Sequence, residues 1–166
     1  MNDDLRSCDE FVARVLDAHA NGYEHGKPFS VALRELRRGK KEEHWIWYVF
    51  PQVEGLGSTC ISQRFWVRQC LDLSSMLAND TLLKNFTAAF SITAAKLADS
   101  PTIRLRDVFG ADAKKVASSV ALFAGFLDKH PRKDARSLQT AAHDIFAIAT
   151  RDGFTCFKTA AFIAGC

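Results

Sequence analysis

Apolar residues recur every three or four positions along most of the chain, which is the spacing of one buried face of an α-helix. The first such run follows Ser7 and Glu10, which form the pattern of a capping box before Phe11. It stops at Asn21-Gly22, a typical helix end. Because this spacing dominates and no pair of strands is evident, we predict an all-α fold.

Further helix boundaries are marked by capping and breaking residues. The predicted helices run from Pro28 to Gly39; from Ser58 or Thr59 through Phe65, Trp66, Gln69 and Leu73 to Leu77; from a cap at Asp80 to Ser100-Pro101; from a cap at Asp112 to His130-Pro131; from Leu138 to Asp152-Gly153; and within the apolar tail 154–166. The expected architecture is an orthogonal bundle of about six to eight helices in a single domain spanning residues 1–166.

The aromatic stretch 44–52 is compatible with two structures. Its aromatic and β-branched residues favour a strand, whereas its length and the closing Pro51 also suit a short buried helix. A lone strand would lack a partner, so we predict a helix.

Phenylalanine is unusually frequent, with 13 Phe against 2 Tyr and 3 Trp among 166 residues. Because phenylalanine has no polar group, most of these rings should be buried. Those on the predicted apolar stripes are assigned to the core: Phe11, Phe29, Phe86, Phe90, Phe123 and Phe146.

Charge, cysteine content and the N-terminus narrow the class of protein. The net charge of +3 is small, and glutamates interrupt the basic cluster Arg34 to Lys41, so nucleic-acid binding is not favoured. The five cysteines lack C-x-x-C spacing, which predicts reduced thiols and neither a disulfide framework nor a metal site. The acidic start Met1 to Asp4 does not resemble a signal peptide, and no apolar run reaches membrane length. We therefore expect a cytoplasmic protein without a cofactor. The sequence does not indicate the oligomeric state.

Polar and aromatic chemistry is concentrated between residues 39 and 59. Trp45 and Trp47 offer flat faces on which a nucleobase could stack. His44 is the candidate general acid or base, Lys41 could pair with a phosphate, and Gln52 could orient a ligand. The alternative is a tryptophan-rich core into which His44 is hydrogen-bonded.

Two helix starts add candidate ligand contacts. The amides at Gly55 and Gly57 precede a predicted helix and could hold an anion, although a plain tight turn explains them as well. Asp112, Lys115, Ser118 and Ser119 open a later helix. Lys115 and the serines share a face and could bind phosphate; alternatively Asp112 caps the helix and the serines lie at a helix crossing.

These motifs resemble one family of small, uncharacterised helical domains, which genome annotation sometimes calls calpastatin. The family pattern Gly-x-Lys-x-x-His-Trp-x-Trp, Phe-Pro-Gln, Gly-Leu-Gly is matched at Gly39, Lys41, His44, Trp45, Trp47, Phe50 to Gln52 and Gly55 to Gly57. A later pattern is matched at Asp112, Lys115, Ser118, Ser119, Leu122 and Phe123. The likeness covers about residues 8–140, leaving 141–166 as a helical extension. Thr59 and Phe65 stand where the family usually has serine and tyrosine.

The resemblance implies an all-α fold and an association with NADAR-type domains, which act on ADP-ribose-linked compounds. It therefore suggests a domain that binds or processes an ADP-ribose-like, NAD-derived nucleotide. This hypothesis requires the motifs around His44 and Lys115 to meet in one cleft. The alternative is a non-enzymatic structural or protein-interaction module, in which the same motifs serve packing and capping.

Overall fold

Ten helices make up most of residues 6–166, the part of the chain that the computed structural model describes. They are α1 Cys8–Asn21, α2 Phe29–Arg38, α3 Ile46–Val49, α4 Cys60–Arg64, α5 Cys70–Ala78, α6 Asp80–Ala98, α7 Leu105–Phe109, α8 Ala113–Lys129, α9 Arg136–Arg151 and α10 Phe157–Ala164. The all-α prediction is confirmed, and seven of these described helices have eight residues or more. The acidic start Met1 to Asp4 lies outside the described residues.

Several predicted helix ends are confirmed at the atomic level. Ser7 and Glu10 form the capping box, with the Glu10 amide donating to Ser7 Oγ at 3.1 Å. Thr59 caps α4, since its hydroxyl accepts from the Ser62 amide. Gly39 ends α2 with a left-handed backbone, φ 77°, which is easiest for glycine.

The predicted single helix from Ser58 or Thr59 to Leu77 is wrong. The chain breaks after Arg64, and residues 65–69 separate α4 from α5. The Val67 amide donates to Gln52 O, and Val67 O accepts from the Glu54 amide, so this stretch pairs with another part of the chain. Tertiary hydrogen bonds here override the local helical spacing.

Two smaller predictions also need correction. The cap of α6 is Asn79, whose Oδ1 accepts from the Leu82 amide at 3.0 Å, while Asp80 is the first helical residue. Phe146 of α9 is 37% exposed, so its ring does not belong to the core. The other five phenylalanines assigned to the core are buried.

The core lies around α6, which packs against α2 and α9, while α8 packs against α9. Phe90 is central to it: its ring lies 4.9 Å from that of Phe50 and 5.0 Å from that of Phe123. The aromatic stretch 44–52 reaches this core through the short helix α3, as predicted. One isolated parallel bridge joins Val53 and Val67, and residues 6–166 contain no β-sheet.

His19 fixes α1 to the core as a neutral imidazole. Its Nε2 lies 2.6 Å from Tyr48 O, and its Nδ1 lies 3.0 Å from Asn85 Nδ2. Because a carbonyl can only accept, Nε2 carries the proton and Nδ1 accepts from the amide. Burial lowers the pKa of His19 to about 4.

Cys70 and Cys166 form a disulfide, which corrects the expectation that all cysteines are reduced. The bond joins the start of α5 to the residue after Gly165, across a sequence separation of 96. Cys8, Cys60 and Cys156 are free thiols. Local spacing could not reveal this pair because the two residues come together only in the fold.

None of the helices in the described part combines the length and apolar character that a membrane span requires.

We expect stability to fall between pH 7.5 and pH 5 because of His19. The unfolded histidine, with a pKa of about 6.5, binds a proton in this range while the folded one does not, which removes about 2 kcal/mol. The loss begins below about pH 6.5 and is complete near pH 4. Urea unfolding at both pH values measures it. His19→Gln keeps a donor and an acceptor and should lack this component; an equal pH dependence in the variant would contradict the assignment.

Breaking the Cys70–Cys166 bond should destabilise the fold, because the cross-link restricts the unfolded chain. Cys70→Ser is expected to lower the free energy of unfolding by about 2–4 kcal/mol. Dithiothreitol should lower the Tm of the wild type and leave the variant unchanged. Cys60→Ser, at an exposed free thiol, is the matched control. A wild-type Tm that is insensitive to dithiothreitol would show that the bond does not constrain the fold.

Candidate functional site

A buried carboxylate determines the path of the chain before α3. Glu35 is 1% exposed and accepts from the Glu42 amide at 2.9 Å, the Glu43 amide at 3.1 Å and Trp45 Nε1 at 2.8 Å. Burial acts to raise the pKa of Glu35, but these hydrogen bonds and the charge of Lys41 lower it overall. Glu35 therefore holds residues 42–45 as an ionised acceptor.

Asp112 connects the two motifs that are distant in sequence. Its Oδ2 lies 2.7 Å from Lys41 Nζ, and its Oδ1 lies 2.7 Å from Lys115 Nζ. The pKa of Asp112 is lowered because hydrogen bonds from the two lysines outweigh its burial. Asp112 precedes α8, but its side chain makes no capping hydrogen bond, so the predicted capping role is wrong.

His44, Trp47 and Lys115 lie next to one another and form a surface that we call the His44 face. The His44 and Trp47 rings are nearly parallel, at 20°, with centroids 6.4 Å apart. Lys115 Nζ lies 5.4 Å from the centroid of a Trp47 ring, which is a cation–π contact. His44 is exposed, and its imidazole has no hydrogen-bond partner within residues 6–166. A ligand could therefore contact its ring nitrogens directly.

Lys41 and Trp45 lie beneath this face and are not available to a ligand. Trp45 is 0% exposed and donates to Glu35. The Lys41 side chain is 7% exposed, and its Nζ donates to Glu43 O as well as pairing with Asp112. Any stacking on a tryptophan of this motif therefore falls to Trp47.

Gln52, Ser118 and Ser119 are also buried. Gln52 Nε2 donates to Phe50 O at 2.7 Å, and Ser118 Oγ donates to Cys156 Sγ at 3.7 Å. Ser119 is 0% exposed, and its hydroxyl has no partner among the described residues. These three side chains contact the protein interior, where a ligand would reach them only after rearrangement.

The glycine loop packs against other helices. Lys158 Nζ of α10 donates to Gly55 O at 2.7 Å, and a Cβ at Gly57 would lie 2.9 Å from Ser62 Oγ of α4. Both glycines have positive φ, 84° and 83°. Close packing and backbone conformation thus explain these residues as a tight turn.

The two departures from the resembled family pattern have structural explanations. Phe65 is 1% exposed, and its ring lies 5.1 Å from those of Tyr23 and Tyr48. Thr59 caps α4. Neither residue belongs to the His44 face.

The role of Glu35 was missed by the sequence reasoning. A signal was present, since Glu35 falls beside Ala32 and Leu36 on the apolar stripe of α2. A charged residue on such a stripe is buried only when it is paired.

Comparison with known proteins places the chain in a family. A family model described as a protein of unknown function (DUF1810) matches residues 11–151. The chain belongs to the DUF1810 family. The matched part of this DUF1810 protein contains both motifs of the His44 face.

A solved structure supports the fold assignment. The conserved hypothetical protein Rv1873 from Mycobacterium tuberculosis aligns with a TM-score of 0.66 and 23% identity, over 92% of this chain and 96% of that one. At this identity the likeness concerns the fold alone. The search of curated proteins finds no match. Within residues 6–166 of this DUF1810 protein, no three His, Cys, Asp or Glu side chains cluster as metal ligands would.

Replacing Glu35 should disorder the segment that leads to the His44 face. Glu35→Met leaves three N–H donors without their acceptor and is expected to cost about 3 kcal/mol or more in unfolding free energy. Glu35→Gln keeps one acceptor oxygen and should cost less. Urea denaturation measures both.

Glu42→Gln is the control. The Glu42 side chain forms an exposed pair with Arg38, its backbone amide is unchanged by the substitution, and the loss should be less than about 0.5 kcal/mol. Equal stability of the Glu35→Met and Glu42→Gln proteins would contradict the role of Glu35.

Proposed function

We propose that this protein binds an ADP-ribose-like, NAD-derived nucleotide at the His44 face. The observation that carries the proposal is the convergence of two motifs, with Lys115 Nζ over the Trp47 ring and Asp112 bridging Lys115 to Lys41. A flat aromatic surface beside an ammonium group suits a ligand with a base and phosphates.

Each residue of the face has a distinct part in the proposal. Trp47, half-buried, offers the stacking surface for the base or ribose. Lys115 pairs with a phosphate, since its side chain is 32% exposed and Asp112 fixes its position. His44, with both ring nitrogens open, hydrogen-bonds the ligand and is the acid–base group if a reaction follows. Lys41 and Trp45 support the face from beneath.

The family resemblance agrees with this choice of ligand. The motifs resemble those of domains associated with NADAR-type proteins, which act on ADP-ribose-linked compounds. A cytoplasmic location, where such nucleotides are abundant, belongs to the same proposal. A reducing cytosol would favour the dithiol form of Cys70 and Cys166 over the disulfide.

A specific observation favours a second candidate function, a non-enzymatic structural or interaction module. Trp45, Gln52, Ser118 and Lys41 all have partners inside the protein. Most of the motif is thereby accounted for by folding, and only His44, Trp47 and Lys115 are left for a ligand.

Calorimetry with ADP-ribose, NAD and AMP separates the two functions. If the His44 face binds nucleotide, Lys115→Met should lower the affinity for ADP-ribose at least about tenfold, because a charge-assisted contact is lost. Lys114→Met removes the same charge from the neighbouring exposed position and should retain affinity.

The stability of the variants completes the comparison. The nucleotide proposal expects the Tm of His44→Ala and Lys115→Ala to stay close to that of the wild type. No binding of any of the three nucleotides, together with a Tm lowered by several degrees in both variants, would support the structural module instead.

A further inference from the structure

A cavity lies away from the His44 face, between α8, α9 and α10. It has a volume of about 580 Å³, within the range of small-molecule sites. Most of its exposed lining is apolar, and the apolar residues that line it include Ala121, Ala124, Phe146, Phe157, Ala160 and Ile163. It shares no lining residue with the His44 face.

The cavity is a fixed feature because α10 is held at several points. A Cβ at Gly125 of α8 would lie 3.1 Å from Ile163 Cγ2, so the two helices are in close contact there. Lys129 Nζ donates to Ile163 O at 2.8 Å, and Lys158 Nζ of α10 donates to Gly55 O at 2.7 Å. The open space therefore lies on the α9 side of α10.

Two aromatic rings flank this space without filling it. Phe146 is 37% exposed and Phe157 is 80% exposed, and both line the cavity. Exposed phenylalanines beside an apolar cavity indicate surface that a ligand would cover. A flat apolar body would contact both rings.

A carboxylate at the rim gives the cavity a charge preference. Asp128 Oδ1 accepts from His143 Nε2 at 2.7 Å and from Gln139 Nε2 at 2.8 Å. Asp128 Oδ2 has no hydrogen-bond partner in the described part of the chain. The hydrogen bond from His143 lowers the pKa of Asp128, which keeps the group ionised. The adjacent Lys129 is engaged by carbonyls of α10.

We propose that this cavity binds a small amphipathic cation, with an aromatic body between Phe146 and Phe157 and a protonated amine at Asp128. The apolar walls supply most of the affinity, and the free Asp128 oxygen selects the charge. This site is independent of nucleotide binding, because the two sites use different residues and opposite ligand charges.

Three probes with one body and different charges test the proposal: 4-phenylbutylamine, 4-phenylbutanol and 4-phenylbutyrate. Titration of the isotope-labelled protein by NMR should shift the amides of Gly125, Ala160 and Ile163. The amine should bind about threefold to fivefold more tightly than the alcohol, as expected for a solvent-exposed ion pair, and the carboxylate should bind most weakly. No shifts with any probe, or a carboxylate as tight as the amine, would overturn the proposal.

Variants separate the apolar and ionic parts. Asp128→Asn should abolish the preference for the amine over the alcohol and leave alcohol affinity unchanged. Asp144→Asn is the control: it removes an exposed charge next to His143 in the sequence, at a residue that does not line the cavity, and should keep the preference. Ala160→Leu, at an exposed helical position, should lower the affinity for all three probes because the larger side chain occupies the cavity. A preference that survives in Asp128→Asn would exclude the assigned role of Asp128.

Lys115→Met should bind the phenylbutyl probes like the wild type. Failure of nucleotide binding at the His44 face would therefore leave this result unaffected, and the two proposals can fail separately.

Discussion

The geometry of this protein's most distinctive region depends on the buried Glu35 carboxylate. A charge enclosed by protein is tolerated only when donors surround it. Glu35 accepts hydrogen bonds from the backbone amides of Glu42 and Glu43 and from the indole N–H of Trp45. Because these donors lie within four consecutive residues, they fix the turn before α3. With that turn fixed, the Lys41 amide reaches Val108 O and its ammonium reaches Asp112. One acceptor thus ties the end of α2 to the start of α8.

The aromatic stretch 44–52, which contains the short helix α3, divides its side chains between two environments. Trp45 and Tyr48 are fully buried, whereas Trp47 is half-buried and His44 is exposed. The His44 and Trp47 rings lie nearly parallel on one side of this stretch, and Lys115, which pairs with Asp112, lies over the Trp47 ring. The buried Trp45 and Tyr48 hold the neighbouring His44 and Trp47 in position at the surface. Adjacent residues of one motif thus supply core packing and the candidate ligand contacts.

The predictable parts of the structure are those decided within a few residues. The capping box at Ser7 and Glu10 and the glycine end of α2 depend on local backbone groups, and both are confirmed. Asp112 has the sequence context of a cap, but lysines from two parts of the chain compete for its carboxylate, and ion pairing prevails. The break after Arg64 likewise depends on hydrogen bonds to residues 52–54.

For the candidate site, the sequence singled out residues that the structure brings close together, but it could not separate the exposed ones from the buried ones. His44, Trp47 and Lys115 were singled out together with Trp45, Gln52 and Ser119, which are buried. Burial depends on how α3 and α8 pack against α6, which no local pattern encodes. Phe146 illustrates the reverse case, since its apolar spacing predicts burial but α10 stands away from that side of α9.

The helix α10 lies beyond the region that defines the family. The family match ends at residue 151, and α10 begins at Phe157. The cavity is therefore lined partly by α8 and α9, which lie within the matched residues, and partly by α10, which lies outside them. A change in α10 would therefore reshape the cavity and leave the residues of the His44 face in place.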